Sequence, residues 1–221
     1  MFNYTFQWKQ ALARLPQMLD GALVTMQIAT LSLVIGIGLA ILLTMFRLSG
    51  VRVLSAVSKT WVEVARNTPA LFQIYMAHFG LGSFGIHLSP FASILLGITF
   101  NNAGYLTENF RGALKAIPDT QARAARSLGF GQGGAFRYVV LPQMLRIAFL
   151  PMTNQMVWAI LMTSLGVTVG MNSDLYGVTQ DLNALTFRTF ELFALAAVIF
   201  YVITKVITLG ARLIAARLFR Y

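Results

Sequence analysis

The chain has 221 residues, 57% of them hydrophobic and only 11% charged, with a formal net charge of +10 at pH 7. This balance excludes most soluble globular classes and points to a polytopic membrane protein. The basic residues lie between apolar stretches rather than on one polar domain, which is a pattern of membrane topology and not of nucleic-acid binding, and the absence of cysteine excludes a disulfide framework and thiolate chemistry.

Residues 1–20 mix Phe2, Tyr4, Phe6 and Trp8 with Lys9, Arg14 and Asp20. No early apolar core with a small-residue cleavage site is present, so the stretch reads as an interfacial segment anchored by aromatic rings. No residue from 21 to 46 is charged, which is long enough for a first span. Gly36 and Ala40 form a small-xxx-small pair that predicts close helix packing. Arg47, Arg52 and Lys59 follow.

A second span is expected over about 58–80. Glu63 and Arg66 are spaced to pair on a helix, and Pro69 predicts a kink. Residues 80–90 are uncharged and glycine-rich, as in a short outer loop. The third span, about 91–110, carries Asn101, Asn102 and Tyr105, and then Glu108, spaced to pair with Arg111. Amides at this depth either line a cavity or hydrogen-bond to neighbouring helices, and spacing does not choose between the two.

Residues 118–134 are too polar for a bilayer core. Pro118 suits a first helical turn, a short helix is predicted from Asp119 to Leu128, and Gly129 is a natural residue to end it. Asp119 and Arg123 are spaced to pair. Ala122, Ala125 and Gly129 share one side with little bulk, which would let another backbone approach closely. The segment fits a basic interfacial loop or a docking helix. The fourth span, about 143–170, contains Pro151, a predicted bend, and the polar Asn154 and Gln155. Residues 171–190 suit an outer loop or lateral helix, and the last span runs over about 191–212.

Five spans place the termini on opposite sides. The inner segments would hold Arg47, Arg52, Lys59, Arg111, Lys115, Arg123, Arg126, Arg137, Arg212, Arg217 and Arg220; the outer ones hold Lys9, Arg14 and Arg188. That bias predicts an external N-terminus and puts 111–142 in the cytoplasm. His78 and His87 have no metal-site spacing. No phosphate-binding loop with its Lys-Ser/Thr occurs, and no nucleophile-plus-base arrangement stands out, so the reading is neither a nucleotide-binding chain nor an enzyme.

Several of these runs carry a resemblance. ARAARSLGF followed by VVLPQ resembles the EAA loop of bacterial ABC-importer permeases, with Ala124, Ala125, Gly129, Leu141 and Pro142 matching and Arg123 where the family usually has Glu. Arg66, Thr68, Pro69, Leu71 and Gln73 match a second family segment. GYLTENFRGALKAIP is similar to the polar amino-acid branch at Tyr105, Glu108, Arg111, Gly112 and Pro118. That branch commonly has Lys-Asp before Thr163-Ser164-Leu165, where this chain has Leu161 and Met162.

The resemblance implies an all-α polytopic permease of about five spans, in the bacterial inner membrane, with a coupling helix between spans 3 and 4. It implies docking to a cytoplasmic ATPase dimer through Ala122, Arg123, Ala124, Ala125, Arg126 and Gly129. ATP-Mg would bind the ATPases and no cofactor this chain. It also implies a second permease subunit and an extracytoplasmic solute-binding protein, with Asn101, Asn102, Tyr105, Asn154 and Gln155 as candidate substrate contacts. Arg123, Leu161 and Met162 raise pairing with a different permease. A secondary transporter, for which Glu108 would be the ion-coupling candidate, and a membrane scaffold remain the alternatives.

Overall fold

The structure, a computed structural model, describes residues 4–218, so Phe2 and Arg220, invoked above as an interfacial ring and an inner charge, lie outside the described residues. Regular structure among the described residues is helical throughout. A short helix α1 (Trp8–Leu12) precedes the 34-residue α2 (Leu15–Leu48), which at 1.5 Å per residue is about 50 Å long. Then come α3 (Arg52–Asn67) and α4 (Ala70–Tyr75), the latter continued by a π-helical turn over Met76–Gly80.

The 26-residue α5 (Pro90–Lys115) starts on Ser89, whose hydroxyl accepts from the Ala92 N–H, with Pro90 in the first turn where its missing donor costs nothing. It is followed by α6 (Asp119–Ser127), α7 (Gln132–Ala135), a π-helical turn at Phe136–Val140 and α8 (Leu141–Met162). A 3-10 turn (Thr163–Val169) leads to α9 (Leu175–Thr186) and α10 (Thr189–Leu218).

The core is divided into three layers, and these give the direction of each pass. One layer joins Met18 and Ala22 of α2 to Leu175 of α9 and Leu192 and Ala196 of α10. The middle layer joins Ile28, Ile74, Ile94, Ile98, Ala159 and Ile160. The third joins Ala40 to Leu106, Phe110, Ala113 and Ile117 of α5 and its end, and to Met144 and Ala148 of α8. Helices α2, α5 and α10 therefore run one way and α8 the other. The α3–α4 pass also runs against α5, since Ala65 meets Gly104 whereas Ile74 meets Gly97, two turns earlier.

Helix α5 is central because small residues on several sides admit its neighbours. A Cβ at Gly97 would stand 2.7 Å from Ile74 Cγ1. Gly36 of α2 lies against Asn102, and Ala40 is fully buried, so the small pair read in α2 faces α5.

The described residues make five passes along the bundle, on α2, α3–α4, α5, α8 and α10. Among the described residues three helical stretches are long and apolar enough to cross a membrane by length and composition: Leu15–Leu48, Gln132–Val169 and Thr189–Arg217. The second pass differs from the kink expected at Pro69: Thr68 (φ −118°, ψ 146°) and Pro69 (ψ 139°) are extended, so the helix stops and restarts. By contrast α8 continues as a helix through Pro151, where a bend is expected.

Candidate functional site

The polar segment between α5 and α8 is built as its residues dictate. Pro118 is extended and starts α6, with Asp119 in the first turn and Arg126 in the last, both favourable to the helix dipole. Gly129 takes a left-handed conformation (φ 93°), its N–H donates to the Arg126 carbonyl at 3.1 Å, and the Phe130 N–H donates to the Ala125 carbonyl at 3.2 Å. This double closure is a Schellman end, which requires glycine or a tolerant residue at that position.

The orientation of α6 differs from the simplest expectation. Ala125 is 3% exposed, and Ala122 packs on the Phe110–Ala113–Ile117 layer. The small-residue side thus seats against the chain's own bundle, because that is where apolar surface awaits it. Arg123, Ala124, Arg126 and Gly129 are exposed. The predicted Asp119–Arg123 pair is absent; ion pairs among the described residues are Arg47–Glu108 and Arg111–Glu108. Behind α6 lies a cavity of about 580 Å³ lined by Met45, Leu48, Leu114, Ala122 and Arg126. In front is a hollow of about 480 Å³ lined by Arg123, Arg126, Ser127, Phe130 and Gln132.

The amides of α5 form two seams that diverge. Pro69 has no N–H, so the Ala65 carbonyl four residues earlier lacks its helical donor. Gln73 Nε2 donates to it at 2.9 Å and Asn101 Nδ2 at 3.2 Å. Asn101 also donates to Gln73 Oε1 at 3.1 Å, while Gln73 reaches the Thr68 carbonyl (3.2 Å) and hydroxyl (2.9 Å). Thr68 Oγ1 donates to the Val64 carbonyl and Asn67 Nδ2 to that of Glu63. Three successive carbonyls at the end of α3 therefore have side-chain donors, which meets the demand of backbone at membrane depth.

Asn102 lies about 100° further round α5 and faces the other way, donating to Ser32 Oγ of α2 at 3.3 Å. Tyr105 is half-buried, with the Arg66 guanidinium 5.6 Å from its ring centre. Arg66 does this instead of pairing with Glu63, which accepts from Asn67 Nδ2. Asn154 is exposed on α8 and Gln155 half-buried. Of the five candidate contacts, Asn101 and Asn102 are thus enclosed within the subunit, and the set does not converge on one point of it.

Glu108 makes the predicted pair with Arg111, whose Nε donates to both carboxylate oxygens at 2.9 Å, and Arg47 of α2 approaches to 3.7 Å. Sequence reasoning matched Gln73 to a family segment without assigning it a role, and it did not single out the side chain of Glu191. Counting back four residues from Pro69 finds the carbonyl that Gln73 serves. No local signal marks Glu191, a fully buried side chain at the start of α10 that accepts from the Tyr4 hydroxyl and, at 2.7 Å, from the Gln7 N–H. His78 bonds Ser93 through Nδ1 at 2.9 Å, and no metal-ligating cluster occurs among the described residues.

The chain matches known transporters over most of its length. Residues 32–220 match the family of binding-protein-dependent transport system inner membrane components. The chain belongs to this family. It is 30% identical over 215 residues to the glutamine transport system permease protein GlnP of Escherichia coli K12, covering 96% of this chain and 98% of that one. It is also 30% identical over 206 residues to a probable amino-acid ABC transporter permease protein, PatM, of Vibrio harveyi, covering 92% of each.

A crystal structure of an amino acid ABC transporter with histidines superposes with a TM-score of 0.88 at 25% identity, over 97% of this chain and 100% of that one. The MetNI methionine ABC transporter shares the fold, with a TM-score of 0.69 at 18% identity over 92% and 94% of the two chains. The chain is a membrane permease subunit of a binding-protein-dependent ABC importer, a family that implies an EAA loop.

Proposed function

We propose that this permease carries an amino acid or a closely related small solute inward, as one of two permease subunits driven by a pair of cytoplasmic ATPases and fed by an extracytoplasmic binding protein. The observation that carries the reading is the outward-facing α6 of an EAA loop in a chain similar along its length to amino-acid permeases. The second permease is a copy of this chain or a related one. Five membrane spans and an external N-terminus are supported by the alternating passes. They are also supported by Glu191, which holds residues 4–7 at the start of α10, opposite the end rich in arginine.

In this reading ATP binding draws the two ATPases together and displaces α6. The bundle exchanges an inward-open for an outward-open arrangement because ATP binds the two states with different affinity. Tyr105, Asn154 and Gln155 face the pathway, and Asn101 and Asn102 hold the helices that wall it. ATP and Mg²⁺ act on the ATPases.

The deciding experiment purifies the tagged chain from its native membrane and measures ATP-dependent uptake in vesicles. The expected result is a co-purifying ATPase and uptake independent of an ion gradient. Ala124→Trp, which alters an exposed position of α6, is expected to lose the ATPase. Recovery of the chain alone, or uptake collapsed by an uncoupler with ATP present, overturns the reading. Asn154→Leu and Gln155→Leu should change uptake rate or selectivity while the complex stays assembled; unchanged uptake removes both from the pathway.

A further inference from the structure

The outward face of α6 is charged, and among the described residues its arginines make no ion pair. Between Glu108 and Asp174 the only acid is Asp119, against Arg111, Lys115, Arg123, Arg126, Arg137 and Arg146. Both ion pairs among the described residues end on Glu108, and neither Arg123 nor Arg126 has a side-chain hydrogen bond among them. The two arginines are three residues apart, hence on one face, and they flank a hollow with Ser127, Phe130 and Gln132. Leu128 beside it is 80% exposed, and the Tyr138 ring lies 6.1 Å from that of Phe130. A charged patch rimmed by exposed apolar side chains is suited to being covered by another macromolecule.

A cover must desolvate both guanidinium groups. Removing them from water without acceptors costs several kcal/mol, so a neutral or basic groove is rejected. Carboxylates match the planar fork of arginine in geometry and charge. Lipid headgroups offer charge as well, but a helix lying in a membrane turns its apolar side to the lipid. The apolar side of α6, Ala122 and Ala125, is already used against the bundle.

We propose that the ATPase groove receiving α6 is acidic, and that Arg123 and Arg126 dock into it by pairing with carboxylates of the partner. This rests on the docking reading above and adds the chemistry of the partner's surface. Charge pairing of this kind selects which ATPase can drive the permease, since a groove of the opposite charge pattern would repel α6.

The test uses the full transporter purified from its native membrane. Three variants are compared: Arg123→Glu with Arg126→Glu, Arg123→Gln with Arg126→Gln, and Ala124→Trp. All three positions are exposed, so the chain should remain monodisperse in detergent. The glutamate pair is expected to lower retained ATPase by about tenfold or more, and the glutamine pair by less. Retention by the native chain should fall as NaCl rises from about 50 mM to about 500 mM, with a shallower fall for the glutamine pair.

If the glutamate pair retains the ATPase as well as the native chain while Ala124→Trp loses it, the acidic groove is overturned and the docking reading stands. If Ala124→Trp retains the ATPase, the docking reading fails and this proposal with it. Native ATPase retention by the glutamate pair together with uptake that now varies with anionic lipid content would assign the arginines to the membrane surface and overturn the proposal.

Discussion

Two short helices connect long ones in this bundle, α6 before α8 and α9 after it, and they are held in different ways. Helix α9 is fastened at its start. Asp174 caps it, its oxygens accepting from the N–H groups of Tyr176 and Gly177 at 3.2 Å, and the Leu175 N–H donates to Thr25 Oγ1 of α2 at 3.1 Å. Glycines bring backbones together there: a Cβ at Gly177 would lie 2.6 Å from Asn172 Cα, and one at Gly21 would lie 3.0 Å from the Asp174 carbonyl oxygen. Helix α6 has no side-chain cap, one buried residue and a cavity behind it. A segment with few buried contacts opens at low cost, and one with a closed polar and apolar interface does not. The contrast fits the proposal above, in which α6 passes motion from the ATPase to the bundle while α9 stays fixed as a brace.

The largest expected effect lies at the brace. Gly177→Val meets backbone on one side and should destabilise the purified chain by about 3 kcal/mol or more, read as a large fall in Tm or loss of the folded species. An unchanged Tm would mean that α9 is not held as described.

The next is pH-dependent. Asp174 lies in the connection between α8 and α10, and burial pushes its carboxyl up from 3.8 to about 6. The native state then binds more protons than the unfolded one between those values. The stability contribution is complete below about pH 4, is lost as pH rises through about 6, and is constant above. Asn keeps the cap oxygen without the charge. Asp174→Asn should therefore raise stability at pH 8 by up to about 3 kcal/mol and leave it unchanged near pH 4. A stability gain that is equal at both pH values would refute this.

Smaller again is Thr25→Val, which strips the acceptor from a buried N–H and should cost about 1–2 kcal/mol. The smallest effect belongs to α7. A Cβ at Gly133 would meet nothing within 4 Å, so Gly133→Ala should stabilise α7 by at most about 1 kcal/mol and leave global Tm nearly unchanged. Hydrogen exchange sharpens the comparison: amides of α9 should exchange only with near-global opening, and those of α6 far sooner.

Much of this arrangement was legible in the residues. The uncharged run 21–46, Gly129 as the end of α6 and the Glu108–Arg111 pair follow from local spacing, and the EAA loop from resemblance to a family motif. Two prolines illustrate where local reading stops. Pro69 and Pro151 remove the same kind of hydrogen bond. At Pro69 the carbonyls left behind find donors in Thr68, Gln73 and Asn101, and the helix ends; at Pro151, on an exposed face of α8, the helix runs on. Which carbonyl finds a substitute depends on an amide 36 residues away, as with Asn101 and Ala65. The facing of α6 is similar. Alanines at 122 and 125 announce a small side, but only the neighbouring layer of α5 decides whether that side is spent inward or offered to a partner.

By itself, the sequence determined an all-helical membrane chain and its basic segments, because span length, charge placement and turn chemistry act over a few residues; its resemblance to known motifs pointed to a permease with an EAA loop. The tertiary structure alone decided that Asn101 and Asn102 brace opposite neighbours, that Glu191 holds the N-terminal segment, and that α6 shows its arginines outward. Each of these depends on which surfaces meet when the passes pack, and burial and hydrogen-bond satisfaction between distant segments leave no trace in local spacing.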